Sequence, residues 1–133
     1  MKELLYVEVK LDEINGFESD DKAVTMILFH GEAKGEYFTG TILPGGVDTQ
    51  IREDGVNHLS ARYILEGTDC QNQPCKIFIE NNGVPDPHTE GRFITVPKII
   101  TDSQALKWFE TTHLSGEVIA TDEMVMIKIY GED

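Results

Sequence analysis

Gly45-Gly46-Val47-Asp48-Thr49-Gln50-Ile51-Arg52-Glu53-Asp54-Gly55-Val56-Asn57-His58-Leu59-Ser60-Ala61-Arg62-Tyr63 holds two alternating segments around an Asp-Gly pair, the local signature of a β-hairpin. The pattern predicts a three-residue loop, Glu53 to Gly55, with Gly55 left-handed because glycine has no Cβ to clash at positive φ. In that register Arg52 faces Val56, Gln50 faces His58 and Asp48 faces Ser60. Asp48, Gln50, His58, Ser60 and Arg62 then share one face, while Val47, Thr49, Ile51, Leu59, Ala61 and Tyr63 share the other and supply the core.

The same alternation runs outward through the chain. It predicts strands over 4–11, 23–33, 37–42, 46–52, 56–66, 75–81, 92–99, 113–120 and 124–130, divided by turn signals such as Asn15-Gly16, Lys34-Gly35, Pro44-Gly45-Gly46 and Asn82-Gly83. Residues 81–91, with Pro85 and Pro87, read as a long loop. One short helical piece is expected over 104–110, capped by Asp102 or Ser103. Residues 1–133 are one domain's worth of chain, with no linker or repeat. About eight to nine short strands and one short helix specify an all-β fold, an antiparallel closed or nearly closed β-barrel that removes exposed edges; a two-sheet sandwich is the other arrangement with this pattern.

Acidic residues outnumber Lys plus Arg by 24 to 11, for a formal charge of −13. Such a chain repels phosphate backbones and anionic lipid, so neither nucleic acid nor membrane is an expected partner. The N-terminal segment Leu4-Leu5-Tyr6-Val7-Glu8 alternates where a signal peptide needs an unbroken apolar core, which predicts a cytoplasmic protein. Cys70 and Cys75 are too far apart for a Cys-x-x-Cys redox motif and too few for a structural zinc site, so reduced thiols are expected. His30, His58, His88 and His113 are scattered without ligand spacing, and no phosphate-binding loop is present; neither metal nor cofactor is predicted.

Several of these stretches resemble a known family: Leu43 to Gln50, Arg52-Glu53-Asp54-Gly55, Ala61-Arg62-Tyr63, Phe78-Ile79-Glu80-Asn81-Asn82-Gly83 and Lys107-Trp108-Phe109 are similar to the pattern of domain of unknown function 3237. The resemblance implies a calycin-like antiparallel barrel and brings no activity or cofactor with it. The chain departs from the pattern at Thr49, where the family has tryptophan, and at Ser60, where it has aspartate.

The side chains with chemistry to offer are Asp48, Gln50, His58, Arg62, Trp108 and His113. As a ligand site, Arg62 would clamp a carbonyl or carboxylate oxygen while Asp48 takes a proton. As plain structure, the two form a solvated ion pair. Trp108 would cover a barrel mouth or plug its end, and His113 with Glu117 can share a strand face. His58 and Ser60 lack the orienting acid and sharp elbow of a serine hydrolase. The expected function is binding of a small carbonyl or carboxylate compound; a cofactor-free lyase or isomerase and a structural or interaction module with a packed barrel are the alternatives.

Overall fold

The computed structural model describes residues 1–132. Nine strands follow in order: β1 (Lys2–Glu18), β2 (Lys22–Lys34), β3 (Phe38–Ile42), β4 (Val47–Glu53), β5 (Val56–Asp69), β6 (Pro74–Pro85), β7 (Arg92–Thr101), β8 (Leu114–Ala120) and β9 (Val125–Gly131). Every pairing is antiparallel, and the β1–β2 and β1–β9 ladders close the sheet into a ring, the barrel expected from the alternation. Strands β3 and β4 lie end to end in one slot between β2 and β5. The kink between them, Leu43 to Gly46, is made possible by Gly45 at φ +109°, a conformation costly for any residue with a Cβ.

Alternate residues of β5, β6 and β7 point inward and are buried: Leu59, Ala61, Tyr63 and Leu65; Ile77 and Ile79; Ile99. One end of the ring is plugged by Leu106 and Phe109, both fully buried beneath a single 3₁₀ turn, Lys107–Glu110. Each such side chain contributes about 2 kcal/mol through removal of apolar surface from water. Ser103 initiates the turn, accepting from the Leu106 amide at 3.2 Å and donating to Asp69 Oδ2 at 2.7 Å. At the opposite end β1 and β2 run on as a long hairpin beyond the last β1–β9 pair, Val9 with Val125, and β1 carries a bulge between Leu11 and Glu13. No helix among the described residues is long and apolar enough to cross a membrane.

Four expectations are corrected. Asn15-Gly16 is not a turn; both residues lie within β1, paired with Met26 and Thr25. Residues 81–85 are strand rather than loop, paired with Phe93 to Pro97, which shortens the connection to 86–91. The helix shrinks to the one 3₁₀ turn. Most consequentially, Asp54 and Gly55 form a two-residue turn with φ of 54° and 78°, so Glu53 pairs with Val56, Arg52 with Asn57 and Asp48 with Ala61. The doubly left-handed turn follows the natural twist of the flanking strands, which a three-residue loop here would not improve. A register change of one residue reverses a strand's faces, so Asp48 and Gln50 part company with His58, Ser60 and Arg62.

Arg92, on β7, ties the 86–91 connection to the sheet: its Nη1 reaches Asp86 Oδ2 and its Nε reaches Glu117 Oε2, both at 2.7 Å, and Tyr130 donates to Glu117 Oε1 at 2.9 Å. Hydrogen bonds from the His88 amide and Arg92 lower the Asp86 carboxyl, and Arg92 lowers that of Glu117. Because both folded values fall below the ordinary 3.8 and 4.5, their stabilising contribution is complete above that range and is lost as pH falls through the lowered values. Thermal unfolding of the wild type is therefore expected to lose more stability between pH 6 and pH 3.5 than that of Arg92→Gln; parallel profiles would remove the cluster from the acid response. For the turn, urea unfolding of Gly55→Ala is expected to show a loss of about 1 kcal/mol, since φ of 78° strains any Cβ.

Candidate functional site

Polar side chains occupy the middle of the inner wall. Asp48 on β4, Ala61 on β5 and Asn81 on β6 lie in one ladder row, with Ala61 directly between the other two. Tyr63 is the next inward residue along β5 and Thr95 lies opposite Gly83 on β7, so each is a diagonal neighbour of Asn81, on the order of 7 Å away at Cα. Asn81 and Thr95 are essentially inaccessible, at 0% and 1% exposure. Among the described residues, Asp48 Oδ1, Tyr63 OH, Thr95 Oγ1 and both polar side-chain atoms of Asn81 are buried without a hydrogen-bond partner. Each such group costs roughly 1–3 kcal/mol when left unsatisfied.

Small residues sit among these groups. Ala61 separates Asp48 from Asn81, and a Cβ on Gly116 would lie 2.5 Å from Thr95 Oγ1. The wall continues outward along a hydrogen-bonded chain: Asn57 Nδ2 donates to Gln50 Oε1 at 2.9 Å, and Gln50 Nε2 donates to Asp48 Oδ2 at 2.8 Å. Burial raises the Asp48 carboxyl above its ordinary value, opposed by the Gln50 hydrogen bond, and burial likewise raises the Tyr63 phenol. Tyr63 is therefore a neutral donor at physiological pH, and Asp48 is a carboxyl group whose proton is held more tightly than usual. Beyond Gln50 and Asn57 the inward side chains Leu11 and Ile14 of the projecting hairpin are half exposed, so solvent reaches the inner wall from that end.

Of the six residues singled out from sequence, the ring brings only Asp48 and Gln50 together on the inner wall. His58 and Arg62 are on the outer surface, Arg62 Nε lying 3.2 Å from Glu80 Oε2, so the solvated ion pair is real but its acid is Glu80 rather than Asp48. Trp108 packs edge-on against Tyr37 and Phe109 at ring separations of 5.6 and 4.8 Å, at the plugged end. His113 is exposed just before β8, and Glu117 is engaged by Arg92 and Tyr130 instead. Tyr63, Asn81 and Thr95 were missed by sequence reasoning. The signal was there: Asn81 continues the buried phase of Ile77 and Ile79, and Thr95 shares that of Pro97 and Ile99.

Cys70 is exposed in the turn after β5 and Cys75 is buried on β6; neither is disulfide-bonded, and burial with nearby Asp69 and Asp102 pushes the Cys75 thiol up to about 11, which makes it a poor nucleophile. No group of three or more His, Cys, Asp or Glu among the described residues is arranged to hold a metal ion.

Known proteins share this architecture. The family model described as protein of unknown function (DUF3237) matches residues 1–131. UPF0311 protein CA_C3321 of Clostridium acetobutylicum is 35% identical over 119 residues, covering 77% of this chain and 73% of the relative. A crystal structure of a protein with unknown function from the same organism superposes with a TM-score of 0.83 at 29% identity, covering 98% of this chain and 94% of that one. A β-barrel like protein from Acinetobacter baumannii shares the fold with a TM-score of 0.75 at 18% identity, covering 98% and 93%.

The raised Asp48 carboxyl has a testable sign. Its folded value lies above the unfolded one, so the protonated form is favoured by folding and stability is lost as pH rises through the folded value. Asp48→Asn is expected to be more stable than wild type at pH 7 by differential scanning calorimetry, with the advantage shrinking as the pH falls toward the ordinary 3.8. A variant equally destabilised at both pH values would mean that the carboxylate is held by its partners.

Proposed function

We propose that this chain, which belongs to the family described as protein of unknown function (DUF3237), binds an uncharged small molecule bearing carbonyl or hydroxyl groups inside its ring of strands. The observation that carries the reading is the set of buried, partnerless polar atoms on Asp48, Tyr63, Asn81 and Thr95. Together they offer a phenol and a hydroxyl as donors or acceptors, an amide that does both, and a carboxyl oxygen. A folded protein keeps such groups at a cost of about 1–3 kcal/mol each, and a ligand that satisfies them recovers that cost on binding. This matches how small-molecule sites are built, with a few polar groups on an otherwise apolar wall.

The ligand class proposed is narrower than the one expected from sequence. A carboxylate ligand needs a cation, and Arg62 faces outward. Arg52, in phase with Gln50 but at the exposed rim, lies 3.3 Å from Glu18. With an interior that contains Asp48 and a chain of net charge −13, an anion is the less favoured guest. The two free thiols support a reducing compartment such as the cytoplasm.

The lyase or isomerase reading keeps one specific support: Asp48 presents a partnerless oxygen to the interior and holds its proton more tightly than an ordinary aspartate, as an acid or base must near neutral pH. His58 and His113 no longer contribute to it, since both are on the outside.

Tyr63→Phe and Thr95→Val remove only the hydroxyl function from this wall. If the groups are kept for a ligand, both variants are expected to be as stable as wild type or up to about 1 kcal/mol more stable, while capture of metabolites from cell extract, read by native mass spectrometry, falls at least tenfold. A loss of stability with capture unchanged would make the hydroxyls structural and sink the proposal. Conversion of a captured compound by wild type but not by Asp48→Asn would favour the catalytic alternative.

A further inference from the structure

We infer that the outer surface of β4, β5, β6 and β7 is a self-complementary interface through which two copies of this chain form a two-fold dimer. Val47 and Ile51, which the sequence pattern assigns to a core, face outward here, because Asp48 and Gln50 face inward. The same surface continues through Ile64 on β5 and Val96 and Ile100 on β7; Val96 is 70% exposed and Ile100 51%. Apolar side chains this exposed, on a sheet already backed by a packed core, mark a surface that another surface covers.

Charge selects a second copy as the occupant. Elsewhere the molecule is strongly acidic, yet the middle of this surface carries Arg62, Lys76 and Lys98 against Glu66 and Glu80. It is the face on which two chains of charge −13 can approach without acid meeting acid. Arg62 pairs with Glu80 and Glu80 with Lys98 across adjacent strands, giving a row of alternating sign.

Shape selects the symmetry. Two depressions of about 290 and 340 Å³ flank Val47 and Arg62, which line both. The first is bounded by the Leu43–Gly46 kink, Ile64 and Phe78; the second by Met26, Thr49, Ile51, His58 and Ser60, whose Oγ is buried without a partner among the described residues. On the other side of the Arg62–Glu80 pair stand the protruding Val96 and Ile100, the next outward-facing residues to either side of Lys98 on β7. A two-fold axis lying in the interface, parallel to the strands and between Arg62 and Glu80, carries each row onto its reverse. It sets Arg62 of one copy against Glu80 of the other, Val96 over the second depression, next to Thr49, and Ile100 over the first. Knobs and holes on one surface, related in this way, are what an isologous contact requires.

The test uses the full chain in sedimentation velocity from 1 to 100 μM. A dimer is expected, tightened by salt because screening reduces the residual repulsion between acidic copies. Val96→Glu and Ile100→Glu are each expected to raise the dimer dissociation constant at least tenfold with unchanged thermal unfolding, whereas Ser115→Glu on β8 leaves it unchanged. Arg62→Glu is expected to weaken the dimer, and adding Glu80→Arg to restore it. Oxidation of Thr49→Cys/Val96→Cys is expected to give a covalent dimer, because within one copy those strands are about 14 Å apart. A wild type that stays monomeric at 100 μM, a dimer indifferent to Val96→Glu and Ile100→Glu, or a double cysteine variant that crosslinks no better than wild type would overturn the inference.

Discussion

Strand β5 hydrogen-bonds along its length to three others: β3 at its far end, β4 at its near end and β6 throughout. Whichever of its faces turns inward therefore sets the facing of a large part of the ring. Leu59, Ala61, Tyr63 and Leu65 are its apolar phase, and burying them fixes the inward residues of β6 as Ile77, Ile79 and Asn81 and those of β4 as Asp48 and Gln50. Asp48 is inside the ring because it is opposite Ala61, whatever its own preference for water. The polar wall and the apolar outer surface are two results of that one choice.

That choice leaves an interior with two characters. Toward the 3₁₀ turn the packing is apolar and complete, with Leu65, Ile77, Leu106 and Phe109 all fully buried. Halfway along, hydroxyl, amide and carboxyl groups interrupt it at positions where branched aliphatics would be more stabilising. The ring is thus held together chiefly by its apolar half and carries its buried polar groups in the other.

All nine strands are legible in the sequence because alternation is a local property and each strand carries enough of it. The misread boundaries share a cause: Asn15-Gly16 and Asn82-Gly83 have turn composition, yet both are paired within strands because partners distant in the chain hold them extended. For the site, alternation told which residues share a face but not which face is inside. In β4, Val47 and Ile51 argued for one answer and the β5 register imposed the other. Arg62 looked like a ligand clamp because the three-residue turn put it beside Asp48; one fewer residue in the turn put it on the opposite surface. Asn81 and Thr95 were legible as polar residues in a buried phase, since both lie within the strands expected over 75–81 and 92–99.

The projecting part of β1 has a backbone edge that no strand covers, since its pairing with β9 stops at Val9 while its pairing with β2 continues to Glu18. Uncovered edges invite strands from other molecules to extend the sheet, the first step toward fibrous aggregates. Here the edge is interrupted by the bulge after Leu11 and lined with Lys10, Asp12, Glu13 and Glu18. A bulge disturbs the ladder that an incoming strand would need, and carboxylates in quick succession repel an incoming strand of this same acidic chain. The free edge of β1 can therefore run on past β9 without becoming a template for open-ended sheet growth.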